Sequence, residues 1–257
     1  MTEKEVEVYL ERIDCNDVKE ITLKNLARLV RGHLEHIPFE DLDVFDKGET
    51  PSLNEKALFQ KIVENKRGGY CFELNTLFGK LLETMGFCVY SVAARVLWNK
   101  ESLPPLSHIG LIVCLEGKKY FCDVGYGGPG PKGVTELKEG EQTVAGEDFR
   151  TWYLEDGDIR IERQHHGAWK ALLQFADRPV RKVDFELLNF YFSQNPAAAF
   201  KQRRIVNLCT PQGSKALTDM ELTIHDRGKT KKKVYKDLEE LKEGLEKEFG
   251  IRFDKLT

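Results

Sequence analysis

Apolar residues recur at helical spacing through the first third of the chain. Leu26, Leu29, Val30, Leu34 and Ile37 occupy the i, i+3, i+4, i+8 and i+11 positions of one helix face. A second helix is predicted where Ser52 and Glu55 form a capping-box pattern ahead of Leu58, Phe59, Ile62 and Val63, and Gly68-Gly69 ends that segment. A third carries Leu74, Leu77, Phe78, Leu81, Leu82 and Met85, stops at Gly86 and, extrapolated backward, has its first turn at Cys71. His33 falls on the Leu26 face and reads as a helix-packing residue.

From about Phe87 the period changes. FCVYSVAARVLW, HIGLIVCLE, KKYFCDVG, TWYLED and DIRIERQ are short β-branched and aromatic runs separated by turn residues, which predicts a sheet or barrel. The remainder mixes a helical stretch near Asp184 to Ser193, strands near Arg204 to Cys209 and Glu221 to His225, and a charged helix from about Lys236 to Phe249. With no internal repeat or long linker, the expected regions are 1–86 (helical), 87–180 (β) and 181–257 (α/β), sharing one body.

At 257 residues the chain can bury about 70–75% of its unfolded surface, enough for a core without disulfide or metal. Its 39 basic and 42 acidic residues are interspersed, with a formal net charge of -3, so no broad positive field marks it for nucleic acid. The start, MTEKEVEVYLERID, lacks the order of a signal peptide, and no apolar run is long enough for a bilayer; a cytoplasmic protein without membrane partners is expected. Six cysteines without a CxxC pair suggest free thiols and no metal site.

One of those thiols stands apart. Arg67-Gly68-Gly69-Tyr70-Cys71-Phe72-Glu73-Leu74-Asn75 delivers a cysteine to the start of a helix, where unpaired N–H groups stabilise a thiolate and can hold a developing oxyanion. The competing reading is a small buried hydrophobe. A nucleophile needs a base, and His108, following Pro104-Pro105-Leu106-Ser107 and opening an apolar strand, is the best placed histidine. Asp123 ends the run Tyr120-Phe121-Cys122, where a carboxylate is costly unless paired. A hairpin through Glu116-Gly117 makes the two strands antiparallel. His108 then lies before the turn and Asp123 after it, at opposite ends of a two-strand unit, where they can be neighbours. Asp123 would orient the imidazole and His108 would deprotonate Cys71. Strand-edge packing for His108 and strand-end capping for Asp123 are the alternatives.

These residues resemble the arylamine N-acetyltransferase family. Arg67 to Asn75 matches that family's RGGYCFELN signature letter for letter; His36-Ile37-Pro38-Phe39-Glu40-Asp41-Leu42 resembles its HxxPFENL segment, Arg95-Val96-Leu97-Trp98 its RVxW strand, and Asp123-Val124-Gly125-Tyr126-Gly127 its DVGFG. Weaker similarity continues through Pro196 to Phe200 and Thr210-Pro211-Gln212-Gly213. The resemblance implies an α+β fold with an N-terminal helical bundle, a central antiparallel β barrel and a C-terminal α/β lid around a cysteine-protease-like or transglutaminase-like catalytic core. It implies a Cys71, His108, Asp123 triad that takes an acetyl group from acetyl-CoA and passes it to an arylamine, with arylhydrazines or arylhydroxylamines as further acceptors and no metal. It also implies that Phe39 lines the acceptor pocket and that Ser107, Gly125, Gly127 and Phe200 contact the pantetheine arm. Arg67, Glu40 and Glu73 read as scaffold, paired near the site, and Glu73 alternatively as a favourable charge on the helix dipole.

Two departures stand out. Asp41 replaces the family's asparagine, turning a neutral amide into a charge that must find a partner, and Gln194-Asn195-Pro196-Ala197 lacks the serine that precedes the phenylalanine. Gly125 to Gly130 formally matches GxGxxG, but Pro129, Pro131 and Gly133 forbid the helix that must follow. Lys229, Lys231, Lys232 and Lys233 read as a solvated hairpin before they read as a phosphate contact. The same Cys, His, Asp order also serves cysteine hydrolases and transglutaminase-like enzymes, and a non-catalytic thiol protein is the further alternative. Oligomeric state, acyl chain preference and acceptor identity are left open by the sequence.

Overall fold

The computed structural model describes residues 1–257. α1 (Glu3–Arg12) starts on a Thr2–Glu5 capping box, and α2 (Leu23–His36) on Thr22, whose side chain accepts from the Asn25 N–H. His33 is buried, with Nδ1 3.0 Å from the Tyr9 hydroxyl and its ring edge-on to Phe78, so it is the packing residue its helix face predicts. After β1 (Phe39–Glu40) and α3 (Leu42–Phe45) comes α4 (Glu55–Phe59), which runs into a π-helical turn over Gln60–Glu64. The cap of α4 is Asn54, not Ser52: the Asn54 side-chain Oδ1 accepts from the Lys56 N–H at 3.0 Å, while Ser52 Oγ accepts from the Asn54 N–H at 3.1 Å. Asparagine caps as well as serine and stands directly before the helix. α5 (Cys71–Thr84) begins where extrapolated and buries Phe72, Leu74, Leu77, Phe78, Leu81 and Leu82. Gly86, at φ +97°, ends it.

Eight antiparallel strands follow: β2 (Cys88–Val96), β3 (His108–Leu115), β4 (Lys118–Cys122), β5 (Thr135–Glu136), β6 (Gly140–Val144), β7 (Glu147–Tyr153), β8 (Asp158–His165) and β9 (Ala168–Ala176). They lie in the order β5-β4-β3-β2-β9-β8-β7-β6 and curl around Val92, Ile112, Phe121, Phe149, Ile161 and Phe175. The barrel is nearly closed. The Gln142 side chain on edge strand β6 stands in for a peptide group, donating to Glu136 O at 2.8 Å and accepting from Glu136 N at 2.9 Å on the other edge. The β3–β4 hairpin turns through Glu116 (φ 51°) and Gly117 (φ 74°), the two left-handed residues of a type I′ turn.

The last third contributes α6 (Phe185–Gln194), α7 (Ala199–Gln202), β10 (Ile205–Thr210), β11 (Gly213–Thr218), β12 (Glu221–Asp226), β13 (Lys229–Val234) and α8 (Leu238–Phe249). α8 packs Leu241, Leu245 and Phe249 with Val206, Leu217 and Leu222 of the sheet, and the lysines of β13 are exposed. This second sheet has the order β1-β10-β11-β12-β13, so its first strand comes from the helical third, with Phe39 opposite Asn207 and Glu40 opposite Val206. The fold is α+β. No helix is long and apolar enough to cross a membrane.

Asp41 sits beside that junction and corrects an expectation. It is 1% exposed and forms no ion pair; Oδ1 accepts from the Ile205 N–H at 2.8 Å and Oδ2 has no partner. Burial, reinforced by the nearby Glu40 and Asp46 carboxylates and opposed by the Ile205 N–H, holds its carboxyl well above the usual carboxylate range. The side chain is thus pushed toward its neutral form, with one backbone N–H and no cation as its partner. A carboxyl whose folded value is raised makes the folded state bind more protons than the unfolded one, so its contribution falls as pH rises above about 4. Asp41→Asn should raise the melting temperature near neutrality, with the difference shrinking toward about pH 4; thermal unfolding of both proteins across that range checks it.

Candidate active site

The glycines before Cys71 are required by close approach. A Cβ on Gly68 would lie 1.9 Å from Pro38 O, and Gly69 O accepts from the Glu40 N–H at 2.9 Å, so the chain runs along β1 before entering α5. Glu73 reaches back and accepts from the Tyr70 N–H at 3.1 Å. Cys71 is the first residue of α5, 2% exposed, with Sγ 4.0 Å from Ser107 O.

β3 and β4 bring the other two residues to the same place. His108 opens β3 and Asp123 follows β4, both at the open end of the hairpin. His108 Nε2 and Asp123 Oδ2 are 2.6 Å apart, and both side chains are buried. Burial alone would pull the imidazole down; the Asp123 charge and hydrogen bond, with hydrogen bonding and charge from Cys71, outweigh it and push His108 up to about 10. With Nε2 on Asp123, Nδ1 is the nitrogen left for the thiol.

Asn75, the last residue of the Arg67 to Asn75 motif, organises this arrangement. One helical turn beyond Cys71, its Nδ2 donates to Asp123 Oδ1 at 2.9 Å and to Ile109 O at 2.7 Å, and its Oδ1 accepts from the Val124 N–H at 3.0 Å. Asp123 Oδ1 also accepts from the Gly125 N–H at 2.9 Å. An asparagine four residues after the helix-start cysteine, and so on the same helix face, is the available signal. Tyr126 closes the other side, its ring edge-on to His108 at 5.7 Å.

Of the other residues picked out in the sequence, Ser107 and Gly125 lie against Cys71, while Gly127, Phe39 and Phe200 pack on one another and on Tyr70. Ser107 presents its carbonyl to Sγ. Gly125 packs on the helix start, where a Cβ would lie 2.7 Å from Cys71 Cα. Gly127 (φ +67°) leaves room for the Phe39 ring, which would be 2.6 Å from a Cβ there, and its carbonyl accepts from Asn207 Nδ2 at 2.6 Å. Phe200 lies 6.0 Å from Phe39 and 5.4 Å from Tyr70, ring to ring. A cleft of 480 Å³ is bordered by Phe39, Asp123, Tyr126 and Gly127, with Lys132 and His225 farther along it. No helix follows the Gly125 to Gly130 loop, which agrees with rejecting a dinucleotide fold.

Behind α5 lies a buried ionic group. Arg67 Nη2 is 2.6 Å from Glu40 and 3.2 Å from Asp43, while Lys61 Nζ is 2.6 Å from Asp43 and 2.7 Å from Glu73. Arg67 and Glu40 are thus paired as scaffold. Glu73 both caps α5 and neutralises Lys61.

Comparison with known proteins identifies the family. Residues 22–257 match the N-acetyltransferase family model. The chain is 32% identical to the arylamine N-acetyltransferase of Mycobacterium tuberculosis H37Rv over 249 residues, covering 95% of this chain and 88% of that protein. The structure of the Salmonella typhimurium arylamine N-acetyltransferase superposes with a TM-score of 0.91 at 29% identity, over 98% of this chain and 92% of that one. The Mycobacterium marinum enzyme in complex with CoA superposes with a TM-score of 0.88 at 30% identity, over 96% and 92% of the two chains. A cysteine at a helix start facing a buried His–Asp pair, in a chain matched along nearly its whole length, makes this protein a member of the arylamine N-acetyltransferase family.

Proposed function

We propose that this protein transfers an acetyl group from acetyl-CoA to arylamines through an acetyl-Cys71 intermediate. The observation that carries the reading is the 2.6 Å His108–Asp123 pair, buried beside a cysteine on the first turn of α5. A cationic imidazole and the helix N-terminus together favour the thiolate. That thiolate attacks the thioester carbonyl, with the Cys71 N–H holding the oxyanion, and coenzyme A leaves with the proton that His108 supplies. The neutral amine then attacks acetyl-Cys71, His108 Nδ1 accepts the amine proton, and the thiolate is expelled. Asp123 keeps Nε2 protonated throughout and so leaves Nδ1 available.

Ser107, Gly125, Gly127 and Phe200 are the candidate contacts for the pantetheine arm: Ser107 and Gly125 lie against Cys71, Gly127 lines the cleft and Phe200 packs on Phe39, and the cleft's Lys132 and His225 suit the anionic end of the coenzyme. Phe39, which lines the cleft beside Asp123 and Tyr126, would face the aromatic acceptor. The bound coenzyme in the Mycobacterium marinum relative supports the same co-substrate here. Arylhydrazines and arylhydroxylamines are further acceptors of the same chemistry.

Incubation with acetyl-CoA and no amine should add one acetyl group, mapped to Cys71 by mass spectrometry, absent in Cys71→Ala and removed when an arylamine is added. A protein that never acquires the adduct, or that is acylated only by amide donors, would shift the reading to a hydrolase or transglutaminase-like activity.

A further inference from the structure

Away from the active site, β2 and β3 carry a second reactive arrangement. In the antiparallel register that places Ala94 opposite His108 at one end of the ladder, Cys88 is directly opposite Cys114 at the other. Both thiols are free; Cys88 is exposed and Cys114 half-buried. The β4 register continues the row, with Lys119 opposite Cys114. Tyr90, Val92 and Ala94 follow Cys88 at even offsets of two, four and six positions, so the pair shares their face at one rim of the barrel. Lys119 is anchored there by Asp177 at 2.6 Å, and the Tyr90 hydroxyl bonds the same carboxylate.

We propose that Cys88 and Cys114 form a dithiol site that closes to a cross-strand disulfide by exchange with a low-molecular-weight disulfide. Directly opposed antiparallel residues have Cα atoms about 4.5–5.5 Å apart and Cβ atoms about 4.5–5.5 Å apart. A disulfide accepts Cα separations of about 4.4–6.8 Å but wants Cβ atoms about 3.5–4.5 Å apart, so closure needs a movement of about 1 Å or less at this exposed rim. Burial and the neighbouring Cys88 push the Cys114 thiol up, and Lys119 partly offsets them. The exposed Cys88 is therefore the first to react. Its thiolate attacks the small disulfide, forming a mixed disulfide and releasing one small thiol. The Cys114 thiolate then attacks the Cys88 sulfur and expels the second. Two protein thiols are oxidised to one disulfide while one small disulfide is reduced to two thiols, and the two protons pass to those products.

Neither cysteine touches the triad, and the bond would tie together the two strands that hold His108 in place. Pairing also distinguishes this site from Cys122, which stands opposite Leu111, and from Cys209, which stands opposite Ser214.

The test is treatment of the native protein with oxidised glutathione, followed by alkylation and tryptic mapping. Cys88 and Cys114 fall on separate tryptic peptides, residues 81–95 and 101–118, so the bond is read directly as a reducible link between them. The expected result is that link without retained glutathione, and, in Cys88→Ser, its complete loss with any glutathione at this site left as a stable adduct on Cys114. Because position 88 is exposed, Cys88→Ser should melt as wild type does, so a lost link reports the missing thiol and not a lost fold. Stable glutathione adducts on Cys88 in the wild-type protein, or no change at either cysteine at ratios that oxidise a free dithiol, would overturn the proposal. Acetylation of Cys71 is scored separately in the same map, so failure of one reading leaves the other standing.

Discussion

Asp123→Asn is expected to lower acetyl transfer by about 10⁴-fold, the scale seen when the orienting acid of such a triad loses its charge. The geometry explains why so small a change is so damaging. Asp123 Oδ2 accepts from His108 Nε2, while Oδ1 accepts from Asn75 Nδ2 and the Gly125 N–H. An asparagine can keep its oxygen on the Asn75 and Gly125 donors, and its amide then points an N–H at Nε2. His108 must answer with the tautomer protonated on Nδ1, which faces the thiol with a hydrogen where a lone pair is needed. The charge that held the imidazole up near 10 is removed at the same time, so the thiolate loses its cationic partner. Single-turnover acetylation of Cys71, followed by mass, reads the first half-reaction without interference from acceptor binding. The fold should survive, because the hydrogen bonds that join α5 to the end of β4 through Asn75 are retained. A variant that acetylates at close to the wild-type rate would show that Asp123 only caps the strand.

How much of this was legible beforehand depended on whether the signal was local. The start of α5 at Cys71, the Glu116-Gly117 turn and the meeting of His108 with Asp123 all followed from periodicity and one hairpin, because each uses residues close in sequence. β9 did not emerge as a distinct strand. A bulge between Ile161 and Glu162 in its pairing with β8 leaves both Leu172 and Leu173 buried, which destroys the two-residue alternation. β1 was hidden for a different reason: two residues have no period, and their partner lies about 165 residues away. Asn75 looked like part of a motif because its three hydrogen bonds run to Ile109, Asp123 and Val124, which only the assembled barrel brings to the helix. Asp41 is expected to find a partner for its charge, and it finds only the Ile205 N–H, because burial without a counter-charge pushes a carboxyl toward its neutral form.

Arg67→Ala should cost about 3–5 kcal/mol of stability, because it leaves a buried carboxylate without its partner. Glu40 is fully buried and receives both Nε and Nη2 of Arg67, at 2.9 and 2.6 Å, while Oε2 accepts from the Leu42 N–H at 2.9 Å. With Arg67 gone, the nearest remaining cation is Lys61, at 3.9 Å from Glu40 and already committed to Asp43 and Glu73. For a chain of this size the loss corresponds to a melting temperature lower by roughly 6–20 °C, measurable by calorimetry. Arg67→Lys should recover only part of it, since a single ammonium cannot reproduce two nitrogens on Glu40, a third contact to Asp43 and the guanidinium packed 4.5 Å over the Phe253 ring. Adding Glu40→Gln to Arg67→Ala should restore more of the stability than Lys does, because the penalty lies in the stranded charge and not in the missing attraction. If the double variant is no more stable than Arg67→Ala, the cost comes instead from the cavity and the lost contact with Phe253. The position of the pair gives the distinction a consequence for the site. Glu40 belongs to β1, Arg67 immediately precedes the two glycines that pass along β1, and those glycines set Cys71 at the head of α5. A stable double variant with slowed acetylation of Cys71 would therefore show that the ion pair aligns the nucleophile as well as holding the core.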